Sequence, residues 1–185
     1  MENTVKNYLT NLVSTIQSLK IEEFTNVASV LREARSKGKR IFIFGNGGSG
    51  STATHFACDI NKGVSYGKKE RFRVICLNDN IPTLLAYSND VGYDVVFKEQ
   101  LENFVEQGDI VIGISGSGNS KNVLSAMELA KEKLAITIGI TGFMGGKLKE
   151  ITDYSINANF NDMQISEDIH MIWVHIMMKC FENDL

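Results

Sequence analysis

RIFIFGNGGSGS, residues 40–51, joins three kinds of sequence within one short stretch. Arg40 to Phe44 is a β-branched and aromatic run of the sort that forms a buried strand. Gly45, Asn46, Gly47, Gly48, Ser49 and Gly50 follow as a loop, and the residues from Ser51 onward are compatible with a helix. A strand that ends in such a loop and reopens as a helix leaves backbone N–H groups free at the helix N-terminus, where an anion is stabilised. Phosphate is the natural guest. The same letters hold G-x-G-x-x-G at Gly45, Gly47 and Gly50, so a dinucleotide site with Asp79 as its ribose acid is one reading, and a tight turn without a ligand is another.

A second loop of the same make follows the run DIVIGI (109–114): Ser115-Gly116-Ser117-Gly118-Asn119-Ser120, again at the start of a helix-compatible segment. Hydroxyls of Ser115, Ser117 and Ser120, together with N–H donors, can surround a phosphate monoester without a lysine. The Lys-Ser/Thr ending of a P-loop is missing, which argues against a nucleoside-triphosphate hydrolase. The implied ligand is a phosphorylated small molecule.

Outward from these loops, RVICL (73–77), LAITIGI (134–140) and DYSINA (153–158) complete a set of five strands. Helix-compatible segments lie near 51–62, 81–105, 119–132, 145–150 and 164–182, and residues 3–36 read as two amphipathic helices with a break near Lys20 to Glu22. Alternating strands and helices predict an α/β three-layer sandwich with a five-stranded parallel sheet, ligands binding beyond the carboxyl ends of its strands. The expected organisation is a single domain over 1–185, a helical pair in 1–36 and, in 37–185, the core that binds the phosphorylated ligand.

Composition narrows the partners. With 19 Lys+Arg against 22 Asp+Glu the net charge of −3 offers no field for a nucleic acid. No export signal and no membrane span is visible. Cys58, Cys76 and Cys180 are odd in number and show no C-x-x-C spacing, so neither a disulfide framework nor a thiolate zinc site is suggested, and a reducing cytoplasm fits best.

Two polar constellations remain. His55 and Asp59 stand four apart in a helical segment and share a face, a spacing that serves a divalent metal or an ordinary helix-surface hydrogen bond. On the last helix Glu167 and His175 interrupt the stripe Met171, Val174 and Met178, where a histidine satisfied by a backbone group is the plain alternative.

Taken together, GNGGSGS, HFACD, YSND, GISGSGNS and the EDIH…H helix resemble the sugar isomerase (SIS) domains, and among them the phosphoheptose isomerases, over nearly the whole chain. The resemblance implies a flavodoxin-like fold and an isomerase that interconverts sedoheptulose 7-phosphate and D-glycero-D-manno-heptose 7-phosphate through an enediol, for heptose biosynthesis. It implies Asn46, Gly47, Gly48, Ser49, Asn89 and Asp90 as sugar contacts, and Ser115, Gly116, Ser117 and Ser120 as the phosphate cradle. Gly116 stands where the family more often has threonine, so the cradle has one hydroxyl fewer. His55, Asp59, Glu167 and His175 match the family's zinc ligands, with Asp59 also the carbon base, His175 the acid, and Asp59 and Glu167 also touching substrate. The family has glutamate and glutamine at the positions of Asp59 and Glu167; the resulting two-histidine, two-carboxylate set suits zinc and also manganese or iron. Eight helical residues separate Glu167 from His175 by roughly 12 Å, so both reach one ion only by leaning inward or if the helix starts at Asp168 or later. His170 is the reserve ligand, with a helix-surface place expected for it. The family further implies a homotetramer with sites between subunits, and the competing reading is a non-catalytic SIS protein that binds a sugar phosphate or a protein partner as a regulator.

Overall fold

The computed structural model describes residues 1–182 and 184. Strands β1 (Arg40–Gly45), β2 (Arg73–Cys76), β3 (Ile110–Ser115), β4 (Ile136–Thr141) and β5 (Tyr154–Asn157) form one sheet in the order β2-β1-β3-β4-β5, every neighbouring pair parallel. This is the expected five-stranded parallel sheet with the flavodoxin order. Its central strands are buried on both faces, as their nearly continuous apolar runs require.

The eight α-helices among the described residues are α1 (Glu2–Ser18), α2 (Ile21–Ser36), α3 (Gly47–Cys58), α4 (Ile81–Asp90), α5 (Val96–Glu102), α6 (Lys121–Glu132), α7 (Gly146–Ile151) and α8 (Met163–Glu182). The alternation in β1 divides the core. Ile41 and Ile43 face a cluster with Leu31 of α2, Phe56 of α3 and Trp173 of α8. Phe42 and Phe44 face Phe97 of α5 and Met127 of α6. Helices therefore cover both faces. The first helix lies across the start of α8, where the Tyr8 hydroxyl donates to Asp168 Oδ2 at 2.6 Å. That hydrogen bond to a carboxylate, with burial, pushes the phenol up to about 12.

Three expected elements are corrected. The helix expected over 81–105 breaks into α4, a 3-10 turn at Tyr93–Val95 and α5, because Gly92 takes φ +141°, outside any helix. The helix expected over 51–62 starts earlier and changes at Asp59 into a π-helical turn, Asp59–Val64, seen in the i to i+5 bond from Ser65 N–H to the Ile60 carbonyl at 3.2 Å. The strand expected from Leu134 begins at Ile136, since Leu134 has φ +59° and its carbonyl accepts from Gly108 N–H. Among the described residues no helix is long and apolar enough to cross a membrane.

Candidate active site

The chain leaves β1 toward β2 on one side and later enters β3 on the other, so the carboxyl ends of β1 and β3 form the switch point of the sheet. Gly45 pairs with Ile114 in register, which sets the two glycine and serine loops side by side. Between them is a cavity of about 270 Å³ lined by residues 46–49 and 115–117 and Ser120, and closed by Glu167 and Met163 of α8. Its lining includes no lysine or arginine among the described residues.

Both helices that open on this cavity begin with a good capping residue that does not cap. Asn46 is the N-cap of α3 and Ser120 the N-cap of α6, yet neither side chain bonds to its own helix. Asn46 instead forms a reciprocal amide pair with Asn122, both bonds 2.9 Å, and its Oδ1 also accepts from the Tyr93 hydroxyl at 2.7 Å. Ser120 Oγ pairs with Ser115 Oγ at 3.0 Å. The Asn46 and Ser120 side chains therefore leave the first-turn N–H groups of their own helices free of a cap, although Val123 N–H of α6 donates to Asn122 Oδ1 at 2.9 Å, and two positive helix ends converge in an arrangement suited to a phosphate dianion. At the tip of the second loop Ser117 Oγ accepts from Asn119 N–H at 3.2 Å.

Two glycines make room for α8. A Cβ on Gly48 would stand 2.5 Å from both Glu167 carboxylate oxygens, so the carboxylate lies against the first turn of α3, where the helix dipole favours negative charge. A Cβ on Gly116 would collide with Met163 Sδ. The thioether thus fills the space that a larger side chain would need there.

Farther along the same two helices is the second cluster. His55 Nε2 lies 3.2 Å from Asp59 Oδ2 and 3.4 Å from His175 Nε2, and one ligand atom from each of the three residues lies within 4.8 Å of the others. Behind the histidines Phe56 and Trp173 stack with centroids 4.9 Å apart and planes 11° apart, which fixes the spacing of α3 and α8. Ligand atoms on a tetrahedral zinc, at bonds of about 2.0–2.1 Å, stand about 3.3 Å apart. The two short separations match that edge, and the nitrogen, oxygen and nitrogen donors suit a borderline divalent ion. These three residues fit the metal that the resemblance implies.

Residues 5–142 match the SIS domain family. A "Probable phosphoheptose isomerase" of Thermoplasma acidophilum is 36% identical over 172 residues, covering 93% of this chain and 94% of its own. A phosphoheptose isomerase of Helicobacter pylori is 38% identical over 157 residues, 85% of this chain and 81% of its own. The chain belongs to the phosphoheptose isomerase family. A solved phosphoheptose isomerase from Neisseria gonorrhoeae superposes with a TM-score of 0.90 at 27% identity, over 98% of each chain.

In this chain the proposed site residues fall into three groups. Residues 46–49, Ser115, Gly116, Ser117, Ser120 and Glu167 line one cavity. His55, Asp59 and His175 gather in the second cluster, and Glu167 is not among them. The helix starts at Met163, ahead of Asp168, so Glu167 sits two turns before His175 and beside Gly48. Asn89 and Asp90 end α4 on the surface, where Asn89 Nδ2 donates to Asp90 Oδ1 at 2.7 Å. They line no part of the cavity between the loops. Asp79, the ribose acid of the dinucleotide reading, is exposed beside Thr54.

His170 is a correction. It is fully buried, not on the helix surface, and neither ring nitrogen has a hydrogen-bond partner among the described residues. Burial pushes its ring down to about 4, with the Thr141 backbone opposing. The sequence reading passed over Met163, Asn122 and Tyr93. Met163 stands one turn before Glu167 and could have been found by extending that face, whereas no spacing rule marks Asn122 or Tyr93.

Proposed function

We propose that this chain is an aldose–ketose isomerase that interconverts sedoheptulose 7-phosphate and D-glycero-D-manno-heptose 7-phosphate. The observation that carries the reading is the parallel run of α3 and α8. Gly48 meets Glu167 at their starts and His55 meets His175 farther on. Eight residues, Gly47 to His55 and Glu167 to His175, separate the anion cradle from the His–Asp–His cluster by roughly 12 Å along each axis. A sugar phosphorylated at one end and reacting at the other needs two such anchors, and a seven-carbon chain is long enough to use both.

Moving a carbonyl between C2 and C1 requires one proton to leave C1 and another to arrive at C2, while the hydroxyl proton passes from O1 to O2. Asp59 carries the carbon proton through the enediol, using the oxygen turned away from His55. His175 serves the oxygens as acid through Nδ1, the ring nitrogen other than the Nε2 that faces His55. A divalent ion, zinc by family resemblance, held by His55, Asp59 and His175 would polarise the carbonyl when bound. Ser115, Ser117, Ser120 and the uncapped N–H groups hold the phosphate, and Glu167, beside Gly48, is placed to accept from a sugar hydroxyl. Asn89 and Asp90 belong to a surface completed by a neighbouring copy in a homotetramer. That assembly is supported by the exposed stripe Val5, Leu9, Val13 and Ile16 on α1. The free thiols Cys58, Cys76 and Cys180 suit a cytoplasmic enzyme.

Incubation with sedoheptulose 7-phosphate in deuterated water, followed by proton NMR, tests the reading. The expected result is a new aldose anomeric signal with deuterium at C2. Tight phosphate-ester binding with no exchange into any ketose or aldose phosphate would instead establish a regulatory binding protein.

A further inference from the structure

We infer that Tyr93 is a positioning residue of the anion cradle, which keeps the Asn46 side chain from capping α3. This role rests on the reading of the two loops as a phosphate site.

Asparagine is among the best N-cap residues, because its side-chain oxygen accepts from the N–H groups of the first turn. Asn46 has the extended backbone of a capping residue, φ −101° and ψ 148°, so only its side-chain torsions separate it from doing so. A side chain that capped α3 would consume the donors that the phosphate requires. What prevents this is saturation of Oδ1. An amide oxygen has two lone pairs, and here one accepts from Asn122 Nδ2 at 2.9 Å and the other from the Tyr93 hydroxyl at 2.7 Å.

The two donors differ in kind. Asn122 is buried on α6, 2% exposed, and is held by its reciprocal bond with Asn46 and by its own bond to Val123 N–H. Tyr93 is 55% exposed and sits on the short turn that follows Asn89 and Asp90. Its hydroxyl is the one tie between that segment and Asn46, and the one that can open without disturbing the core. Loss of it frees a lone pair on Asn46 that can turn to the first turn of α3, in competition with the ligand.

Three proteins test this: the parent, Tyr93→Phe, and Tyr93→Phe combined with Asn46→Ala. The probe is inorganic phosphate, titrated calorimetrically, with thermal melts of the unliganded proteins alongside. Tyr93→Phe is expected to bind phosphate about three- to tenfold more weakly, the worth of one N-cap, while melting at or above the parent temperature. Adding Asn46→Ala removes the competing cap, and affinity is expected to recover toward the parent while the melting temperature falls. A merely structural tyrosine would lower affinity and melting temperature together, and the second substitution would then worsen both. That pattern, or phosphate binding by Tyr93→Phe equal to the parent's, overturns the proposal. A parent that binds no phosphate removes the cradle reading as well, whereas a parent that binds phosphate but fails to isomerise sugars leaves this test standing.

Discussion

His55 Nε2 and His175 Nε2 face each other at 3.4 Å across α3 and α8, with Asp59 Oδ2 at 3.2 Å from the first. A nitrogen that holds an ion cannot carry a proton at the same moment, so ion and proton compete for this cluster. The parent is expected to retain about one divalent ion per chain by elemental mass spectrometry after exchange into metal-free buffer near neutral pH, and to lose it as the pH falls. His55→Gln should lower that content at least tenfold, since loss of a residue that only orients a ligand already costs about that much in affinity, while phosphate-ester affinity stays within about twofold, because the cradle is two helical turns away. Equal ion content in parent and variant would remove the cluster as a metal site.

Gly116 and Met163 make a coupled pair. Gly116→Thr adds the hydroxyl that the family resemblance implies at this position, but its Cβ meets Met163 Sδ, and Met163, 37% exposed, must swing outward. The single variant should gain little phosphate affinity. Combined with Met163→Ala, the new hydroxyl can reach the ligand, and a hydrogen bond to a charged group contributes about 1.5–3 kcal/mol. A double-mutant cycle on phosphate binding is expected to show coupling of at least about 1 kcal/mol. Additive effects would mean that the thioether does not occupy the place of the missing side chain.

His170 makes stability depend on pH. Its folded value, about 4, lies below the ordinary 6.5, so the unfolded chain takes up a proton first as pH falls. Stability contributed by the neutral ring is therefore full above about 6.5 and declines toward pH 4, by about 1.4 kcal/mol per unit, or roughly 3 kcal/mol in all. His170→Met, similar in volume and without a titrating group, should flatten that part of the profile relative to the parent in urea unfolding between pH 4 and 7. An unchanged slope would show that His170 is protonated as readily in the fold as out of it.

How much of this was legible in the sequence depends on whether a residue's role is written in a period. Ile41 and Ile43 against Phe42 and Phe44 declare a strand buried on both faces, and Gly45 to Gly50 declare the turn into a helix, so the sheet and the cradle could be read directly. The last helix misled because its stripe was centred on the polar residues. Its buried face is Ile165, Ile169, Trp173 and Met177, with His170 beside it, and Glu167 and His175 stand at the rim. A polar residue at the edge of a stripe and one in its middle have the same spacing. Gly92 alone inside a helix-compatible run did not reveal whether it bends the chain, and the uncapped Asn46 is invisible to a rule that reads asparagine before a helix as a cap. Its diversion depends on Asn122 and Tyr93, far away in the chain.

The first helix carries a prediction about assembly. Tyr8, Leu12 and Leu19 pack toward α8, while Val5, Leu9 and Val13, each more than half exposed, form a separate stripe. An apolar cavity of about 600 Å³ between α1, α2 and α8 adjoins it. Light scattering is expected to give the mass of a tetramer, and Leu9→Glu with Val13→Glu to give smaller species with unchanged helical circular dichroism, since neither side chain is in the core. A monomeric parent at micromolar concentration would rule out sites shared between subunits.

Asp59→Glu decides whether the shorter acid is a defect or a fitted part. If the cluster were built for glutamate, restoring the methylene should preserve or raise turnover. The geometry points the other way. Asp59 Oδ2 already lies at 3.2 Å from His55 Nε2, one helical turn back, and Asp59 itself opens the π-helical turn through Val64. Adding a methylene from the same backbone pushes the carboxylate about 1.5 Å farther, the length of one backbone C–C bond, either into the space between the two imidazoles or out of reach of both. A misplacement near 1 Å can cost about a hundredfold in rate. The expected outcome is a ten- to hundredfold loss of turnover, weaker ion retention and unchanged phosphate affinity, compared by steady-state kinetics, elemental analysis and calorimetry on the same preparations. Turnover at or above the parent level would show that the backbone at Asp59 yields, and that the π-helical turn is compatible with either acid.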